Sequence, residues 1–320
     1  MHFLLDGDPG HDDMLAIYLA APHLDVVGVT TVSGNQSLEK CTQNARKVLE
    51  LGGLTRLPLA RGQDRPLLND PIYAPEIHGQ TGLDGADLPE PTVALSEKTA
   101  VEFILEQSHL HDDLWIVATG PLTNVATALI VDPTLRDRLS GVSLMGGSVT
   151  YGNSTPAAEF NIWVDPEAAD IVFRSGVPLK MFGLNVTRQA SATKVELDRI
   201  RDIGTSFAKT VADLVEFYRS SLEKVFGLKG ASLHDPLAVA IFIKPELFTM
   251  QPMHVGIELN GTLTRGMTVC DYRRVGGGTG VDLGGDEAIA RGAQPNCEVA
   301  VAMDVPGFFD LLTETLATYS

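Results

Sequence analysis

Asp6-Gly7-Asp8-Pro9-Gly10-His11-Asp12-Asp13 follows the apolar run Phe3-Leu4-Leu5 and precedes the amphipathic run Met14, Leu15, Ile17, Tyr18 and Leu19. That order reads as strand, tight turn and helix. Gly7, Pro9 and Gly10 permit the turn, and Asp12 or Asp13 can cap the helix. Four carboxylates within eight residues repel one another, so their proximity calls for a compensating charge. A hard cation that takes oxygen ligands supplies it most simply. The plainer alternative is a solvated loop in which one Asp caps the helix.

Working outward, the strand-turn-helix unit repeats. Leu24 to Val32 is β-branched and ends in Ser33-Gly34-Asn35-Gln36, and a helical spacing of Leu38, Cys41, Ala45, Val48 and Leu49 runs to Gly52-Gly53. Leu57 to Ala60 is a short strand. The stretch 61–95 shows no period and carries Pro66, Pro71, Pro75, Pro89 and Pro91; its Ile77-His78-Gly79-Gln80-Thr81-Gly82 is a candidate flap. Thr99 to Glu102 forms a capping box, followed by a helix to about His109, a strand from Leu114 to Ala118, the turn Thr119-Gly120-Pro121-Leu122-Thr123 and a helix to Val131. A strand from Val142 to Met145 leads into a polar loop through Asn153 to Asn161. Asp165-Pro166-Glu167 opens a helix that Gly176 ends. Leu179 to Phe182 is the next strand.

The pattern from Thr193 to Phe226 is helical with a break near Gly204, and Leu233-His234-Asp235-Pro236 opens a helix to about Ile243. Strand-like runs at Met253 to Leu259, Met267 to Asp271 and Glu298 to Met303 and a helix from about Phe308 to Ala317 complete the chain. Strands alternating with helices predict an α/β protein: one domain over 1–320 with a mostly parallel, doubly wound, Rossmann-like sheet flanked by helices. Ligands of such sheets bind at the carboxyl ends of the strands. The loops after Leu5, Val32, Ala118, Met145 and Phe182 would converge there.

Composition narrows the function classes. The 320 residues, 44% of them apolar, suffice for a substantial core. Lys+Arg number 24 against 41 Asp+Glu, a net charge of -17, which repels phosphate backbones and anionic lipids, so neither nucleic acid nor a membrane surface is expected as a partner. No basic flank and apolar core open the chain and no apolar run spans a bilayer, so a cytoplasmic protein is expected. Cys41, Cys270 and Cys297 are few and widely spaced, which argues against a disulfide framework and a zinc site.

With these pieces in place, the chain resembles the inosine-uridine preferring nucleoside hydrolases over nearly its whole length. The aspartate-rich stretch at 6–13 is the strongest match. Gly34-Asn35-Gln36, His78-Gly79, the turn from Thr119 to Asn124, Met145-Gly146-Gly147, Glu159-Phe160-Asn161, Asp165 to Ala169 and His234-Asp235-Pro236 follow in the family's order. The resemblance implies hydrolysis of the N-glycosidic bond of ribonucleosides, purine or pyrimidine, by a homo-oligomer of two or four copies with bound Ca2+. It implies Asp8, Asp13, the backbone carbonyl of Thr119 and Asp235 as metal ligands. Asp12 and Asn35 are then expected at the ribose 2'-hydroxyl, Asp235 and Asn161 at the 3'-hydroxyl, and Asn153 and Glu159 at the 5'-hydroxyl. Met145 and Phe160 would contact the sugar, with His78 and Tyr218 as further substrate contacts.

Such a ligand set suits Ca2+, which takes six to eight oxygens. Breaking the bond leaves an oxocarbenium-like ribosyl that surrounding carboxylates stabilise. Water attacking it needs a base, for which Asp8 is the candidate. The leaving base needs an acid or polar contact, for which His234 is the candidate. Taken singly, Met145 and Phe160 read as core, Asp235-Pro236 as a helix cap, and His78 as a solvated loop residue. Two rivals stand beside this reading. Asp6-x-Asp8 after a strand also opens Mg2+-dependent aspartate phosphohydrolases, but the Thr expected soon after it is missing. A non-catalytic nucleoside-binding protein could share the pocket. The Gly/Asp-rich segment 275–286 receives no role beyond that of a loop.

Overall fold

The structure is a computed structural model that describes residues 1–274 and 294–320; the Gly/Asp-rich segment 275–286 lies outside the described residues. The strands are β1 His2–Gly7, β2 Asp25–Thr31, β3 Leu59–Arg61, β4 Leu114–Ala118, β5 Gly141–Met145, β6 Leu179–Phe182, β7 Ser191–Ala192, β8 Ala231–Ser232, β9 Phe248–Met253, β10 Val255–Ile257, β11 Thr268–Cys270 and β12 Cys297–Met303. Among the described residues the main sheet runs β3-β2-β1-β4-β5-β6-β12-β9. Every pairing in it is parallel except that of β12 with the edge strand β9. The mostly parallel, doubly wound α/β sheet expected from the sequence is therefore present.

The period-2 alternation of each strand divides the core into two layers. Phe3, Leu5, Val117, Met145 and Phe182 enter one layer, under the helices His11–Ala20, Leu38–Leu51, Ser206–Phe226 and Val305–Leu316. Leu4, Ile116, Ala118, Val142, Leu144 and Met181 enter the other, under the helices Ala100–Leu110, Thr123–Val131 and Pro166–Arg174. Each of these side chains larger than alanine contributes roughly 1.5–3 kcal/mol by leaving water, so both faces of the sheet are held, and only its ends remain available for chemistry.

Local signals explain most boundaries. Thr99 and Glu102 form the expected capping box, and Asp165 accepts from Ala168 N–H at 3.1 Å to cap its helix. The long helical pattern breaks into Lys194–Asp202 and Ser206–Phe226 around Gly204, whose φ is +85°. Two expectations shift. The loop expected through Asn161 ends earlier, because Glu159 accepts from Asn161 N–H at 2.9 Å and starts the short helix Phe160–Val164. The strand expected from Met253 to Leu259 is two: Met253 belongs to β9, and His254 separates it from β10. The β9 run was hidden by polar alternation on an edge, where one flank stays in water.

Candidate active site

β1 is flanked by β2 on one side and β4 on the other, and the strand order reverses between them. The crevice of such a sheet opens at the carboxyl ends of these strands. Asp8 follows β1 directly, Asn35 lies beyond β2, Thr119 follows β4 and Met145 ends β5. The topology thus gathers residues more than a hundred positions apart.

Asp8 is 1% exposed. Its Oδ2 accepts from Asn35 N–H at 2.6 Å, and Asn35 Nδ2 donates to the Asp8 carbonyl at 3.1 Å. Its Oδ1 is buried and has no hydrogen-bond donor among the described residues. The loops close on this carboxylate tightly: a Cβ at Gly34 would run into Oδ2, and one at Gly120 would stand 2.7 Å from Oδ1, so a side chain at either position would displace Asp8.

Asp12, Asp13 and Asp235 bring one carboxylate oxygen each within 4.8 Å of one another, all buried. Asp13 sits in the first turn of its helix, accepting from Gly10 N–H at 3.0 Å and from Thr119 Oγ1 at 2.6 Å. Asp235 precedes the helix Pro236–Ala240 but makes no side-chain cap bond, so its carboxylate is given to the cluster and not to the helix. Burial lifts Asp12 to about 7, with the charge of Asp13 adding to it. Burial and then the neighbouring carboxylates likewise push Asp8 and Asp235 well above the usual range. Four acids kept together against this cost, with one oxygen left without a donor, fit a cation; the donor set is all oxygen, as a hard ion requires. Of the expected ligands, Asp8 stands beside the tightest trio and Asp12 completes it.

Above the cluster opens a cavity of about 290 Å³. Asp12, Asn35, His78, Thr119, Met145, Asn153, Glu159, Phe160, Asn161, Tyr218, His234 and Asp235 line it, every expected site residue except Asp8 and Asp13. Asn161 Nδ2 donates to the Thr119 carbonyl at 2.9 Å and the Met145 carbonyl at 3.1 Å, tying the loops after β4 and β5. Glu159 is held by Gly147 N–H at 2.8 Å as well as by its helix, and burial lifts it to about 7. Asn153 is exposed and accepts from Phe160 N–H at 2.9 Å. His234 donates its N–H to Asp12 Oδ2 at 3.3 Å and shares a 2.7 Å hydrogen bond between its Nδ1 and Thr187 Oγ1. It lies deep but opens onto the cavity; its depth, and then the charge of Arg188, pull the imidazole down to about 3. His78 is buried, not solvated.

The family model described as inosine-uridine preferring nucleoside hydrolase matches residues 3–310. The chain belongs to the inosine-uridine preferring nucleoside hydrolase family. It is therefore an enzyme that acts on N-glycosyl bonds, which sets aside the phosphohydrolase and the non-catalytic alternatives. It is 44% identical over 322 residues, 99% of this chain and 98% of the relative, to the pyrimidine-specific ribonucleoside hydrolase RihA of Enterobacter sp. (strain 638). Among solved structures it is similar to a purine-preferring ribonucleoside hydrolase from Gardnerella vaginalis, with a TM-score of 0.89 and 33% identity over 99% of this chain and 98% of that one. A plant nucleoside hydrolase, PpNRh1, matches with a TM-score of 0.89 and 29% identity over the same shares.

Other residues of this nucleoside hydrolase escaped the sequence reading. Asp6 is buried beneath the site and accepts from Thr30 Oγ1 at 2.6 Å and Asn124 Nδ2 at 2.7 Å. Asn124 in turn binds the Thr31 carbonyl and Gln63 N–H, so it staples β1, β2 and the loop after β3. It stands in a motif that matched the family, but spacing alone gave it no task. Leu222 and Phe226 also line the cavity. They follow Tyr218 at four-residue steps on one helix, and that period was the signal available for finding them.

Proposed function

We propose that the enzyme hydrolyses pyrimidine ribonucleosides to free base and ribose, with Ca2+ held by Asp8, Asp13, the Thr119 carbonyl and Asp235. The observation that carries this reading is the buried acid cluster at the foot of the cavity, beside which Asp8 Oδ1 has no donor among the described residues. A cation bound there supplies charge neutralisation, oxygen affinity for vicinal ribose hydroxyls and a lowered pKa for water. The pyrimidine assignment is supported by the higher identity to the pyrimidine-specific relative than to the purine-preferring structure.

The chain's own residues then divide the work. Asp12 and Asn35 receive the 2'-hydroxyl, Asp235 and Asn161 the 3'-hydroxyl, and Asn153 and Glu159 the 5'-hydroxyl, while Met145 and Phe160 keep bulk water from the sugar. The carboxylates offset positive charge as the ring oxygen takes it up. Asp8 accepts a proton from the attacking water as its oxygen bonds to the anomeric carbon and the bonding pair leaves with the base. His234 is uncharged at neutral pH, since its pKa is pulled to about 3, so its part is a hydrogen bond to the departing base. His78 and Tyr218 complete the wall around it.

Incubation with uridine, cytidine, inosine and adenosine, with free base and reducing sugar quantified, tests the proposal. Release from uridine and cytidine well above the purine nucleosides, abolished by a chelator and restored by Ca2+, is expected. Equal or faster release from inosine overturns the base assignment, and activity that survives chelation overturns the cation.

A further inference from the structure

The roles above leave His11 unused, although it lies at the centre of the aspartate-rich turn and is fully buried. Its Nε2 is 2.7 Å from the Asp84 carbonyl oxygen, which can only accept, so that nitrogen carries a hydrogen. The ring is fully buried and its Nε2 partner is a neutral backbone carbonyl, surroundings that suit the uncharged ring with one hydrogen, so its Nδ1 presents a lone pair. That lone pair faces His78 Nδ1 at 3.2 Å. Two lone pairs cannot bond each other, so His78 carries its hydrogen on Nδ1. His78 is uncharged as well, because burial and then the two neighbouring histidines hold it well below its ordinary value. Its Nε2 is left as a lone pair with no hydrogen-bond partner among the described residues, on a ring that lines the cavity.

Packing keeps the rings in this arrangement. His11 stacks on Tyr218 with centroids 5.5 Å apart and planes 1° apart, and His78 stacks on Tyr218 at 5.1 Å and 19°. Tyr218 is fixed by its hydroxyl, which donates to the Ser232 carbonyl at 3.3 Å. Phe217 closes the other approach to His11 at 5.7 Å.

We propose that His11 is a positioning residue: pinned by the Asp84 carbonyl, it fixes His78 as a hydrogen-bond acceptor toward a donor group of the bound nucleoside. This rests on the nucleoside reading of the cavity. A ribose hydroxyl can turn to either polarity, whereas a base N–H can only donate and a base carbonyl can only accept. A fixed lone pair at this wall therefore favours a base edge that offers N–H and leaves a carbonyl edge facing another acceptor, which a buried site penalises.

The direct readout is the histidine tautomer, taken by long-range nitrogen–proton correlation on the Ca2+-loaded, nitrogen-15-labelled protein without substrate; the His78 signals are identified by their loss in His78→Gln. His78 protonated on Nδ1, and His11 on Nε2, is expected in the parent protein. His11→Phe keeps a stacking ring and removes both nitrogens, and should return His78 to the Nε2–H form that free imidazole favours. His11→Gln, whose amide can accept from His78 and donate to Asp84, should hold more of the Nδ1–H form, and it serves as the working variant where the Phe protein does not fold. His78 protonated on Nε2 in the parent, or an unchanged tautomer in both variants, overturns the proposal. For kinetics, kcat/KM of His11→Phe on uridine should fall about tenfold, the loss of one hydrogen bond, with Ca2+ content unchanged. A loss on uridine and not on 3-methyluridine places the donor on the base, and an equal loss on both places it on the ribose. Because the tautomer is read without substrate, a protein that failed to hydrolyse nucleosides would leave this result standing, and the reverse also holds.

Discussion

Asn35 N–H donates to Asp8 Oδ2 at 2.6 Å while Asp8 Oδ1, on the same buried carboxylate, has no donor among the described residues. One oxygen is thus committed to the protein and the other is free for a cation or a proton. The asymmetry decides what Asp8→Asn would do. Asn35 N–H requires an acceptor, so the new side chain must turn its oxygen there and its NH2 toward the place of Oδ1. Cation affinity should weaken and the base should be lost together. At saturating Ca2+, kcat for every nucleoside should still fall about 10²–10⁴-fold, the usual share of general-base catalysis. Titrating Ca2+ against kcat separates the two losses, and a kcat within tenfold of the parent at saturation counts against Asp8 as the base.

The second prediction concerns the sugar. Asp12 and Asn35, both placed for the 2'-hydroxyl, are buried on the cavity wall, so a 2'-deoxynucleoside removes the hydroxyl they are proposed to meet. A site that hydrogen-bonds a substrate hydroxyl rejects the analogue lacking it by up to about 10⁴-fold. Comparing kcat/KM for uridine and deoxyuridine checks this, and similar values would remove the 2'-hydroxyl from the binding account.

Much of this arrangement was legible in the chain because local chemistry and fold agree there. The Asp6 to Asp13 turn needs its glycines, follows a strand and starts a helix, and each feature carries its own signal. The strand order was not written in any local pattern, yet alternating strands and helices leave few ways to place the loops, and convergence of Asn35, Thr119 and Met145 on Asp8 follows from a parallel sheet. What stayed hidden acts through another residue. His11 could be an ordinary first-turn side chain until a contact 67 positions away, to His78 Nδ1, is known. Asn124 looks like any helix-start Asn until Asp6 is placed against it.

A third prediction follows from the acids themselves. Asp12 titrates near 7 against an ordinary 3.8, Asp6 near 6, and Asp8, Asp13 and Asp235 are also raised, in each case first by burial. A raised carboxylate binds more protons folded than unfolded, so its stability contribution is full below about 4 and is lost as pH climbs through the folded value. The buried histidines act oppositely: His11 near 4 and His234 near 3, against 6.5, contribute fully above 6.5 and lose it in acid. Between pH 6.5 and 8 the histidines have only a small remainder left to gain as the unfolded imidazoles lose their last protons, and the several raised carboxylates set the slope. The chelated protein should therefore lose Tm steadily over that window, and added Ca2+ should restore it more at pH 8 than at pH 6.5. Thermal melts with and without chelator measure both slopes, and a chelated protein whose Tm rises from pH 6.5 to 8 would contradict the sign.

The last prediction isolates His234. Its ring is set by Thr187 Oγ1 at 2.7 Å and its backbone N–H by Asp12 at 3.3 Å, so the side chain can be removed while the main-chain bond to the cluster stays. If the imidazole serves the departing base, His234→Ala should slow uridine and inosine, whose bases leave poorly, and do little to p-nitrophenyl riboside, whose phenolate needs no such help. If His234 only packs beside Asp235 and steadies the cation, all three substrates should lose rate equally, because each depends on the same ribose contacts and the same attacking water. The Asp8→Asn protein is the control: a base acting on water is needed whatever leaves, so its loss should fall on all three alike. Measuring kcat for uridine, inosine and the activated riboside in both variants, at saturating Ca2+, makes the comparison internal to one enzyme. A uniform loss in His234→Ala would withdraw the leaving-group role and keep the residue as a support for Asp12 and Asp235.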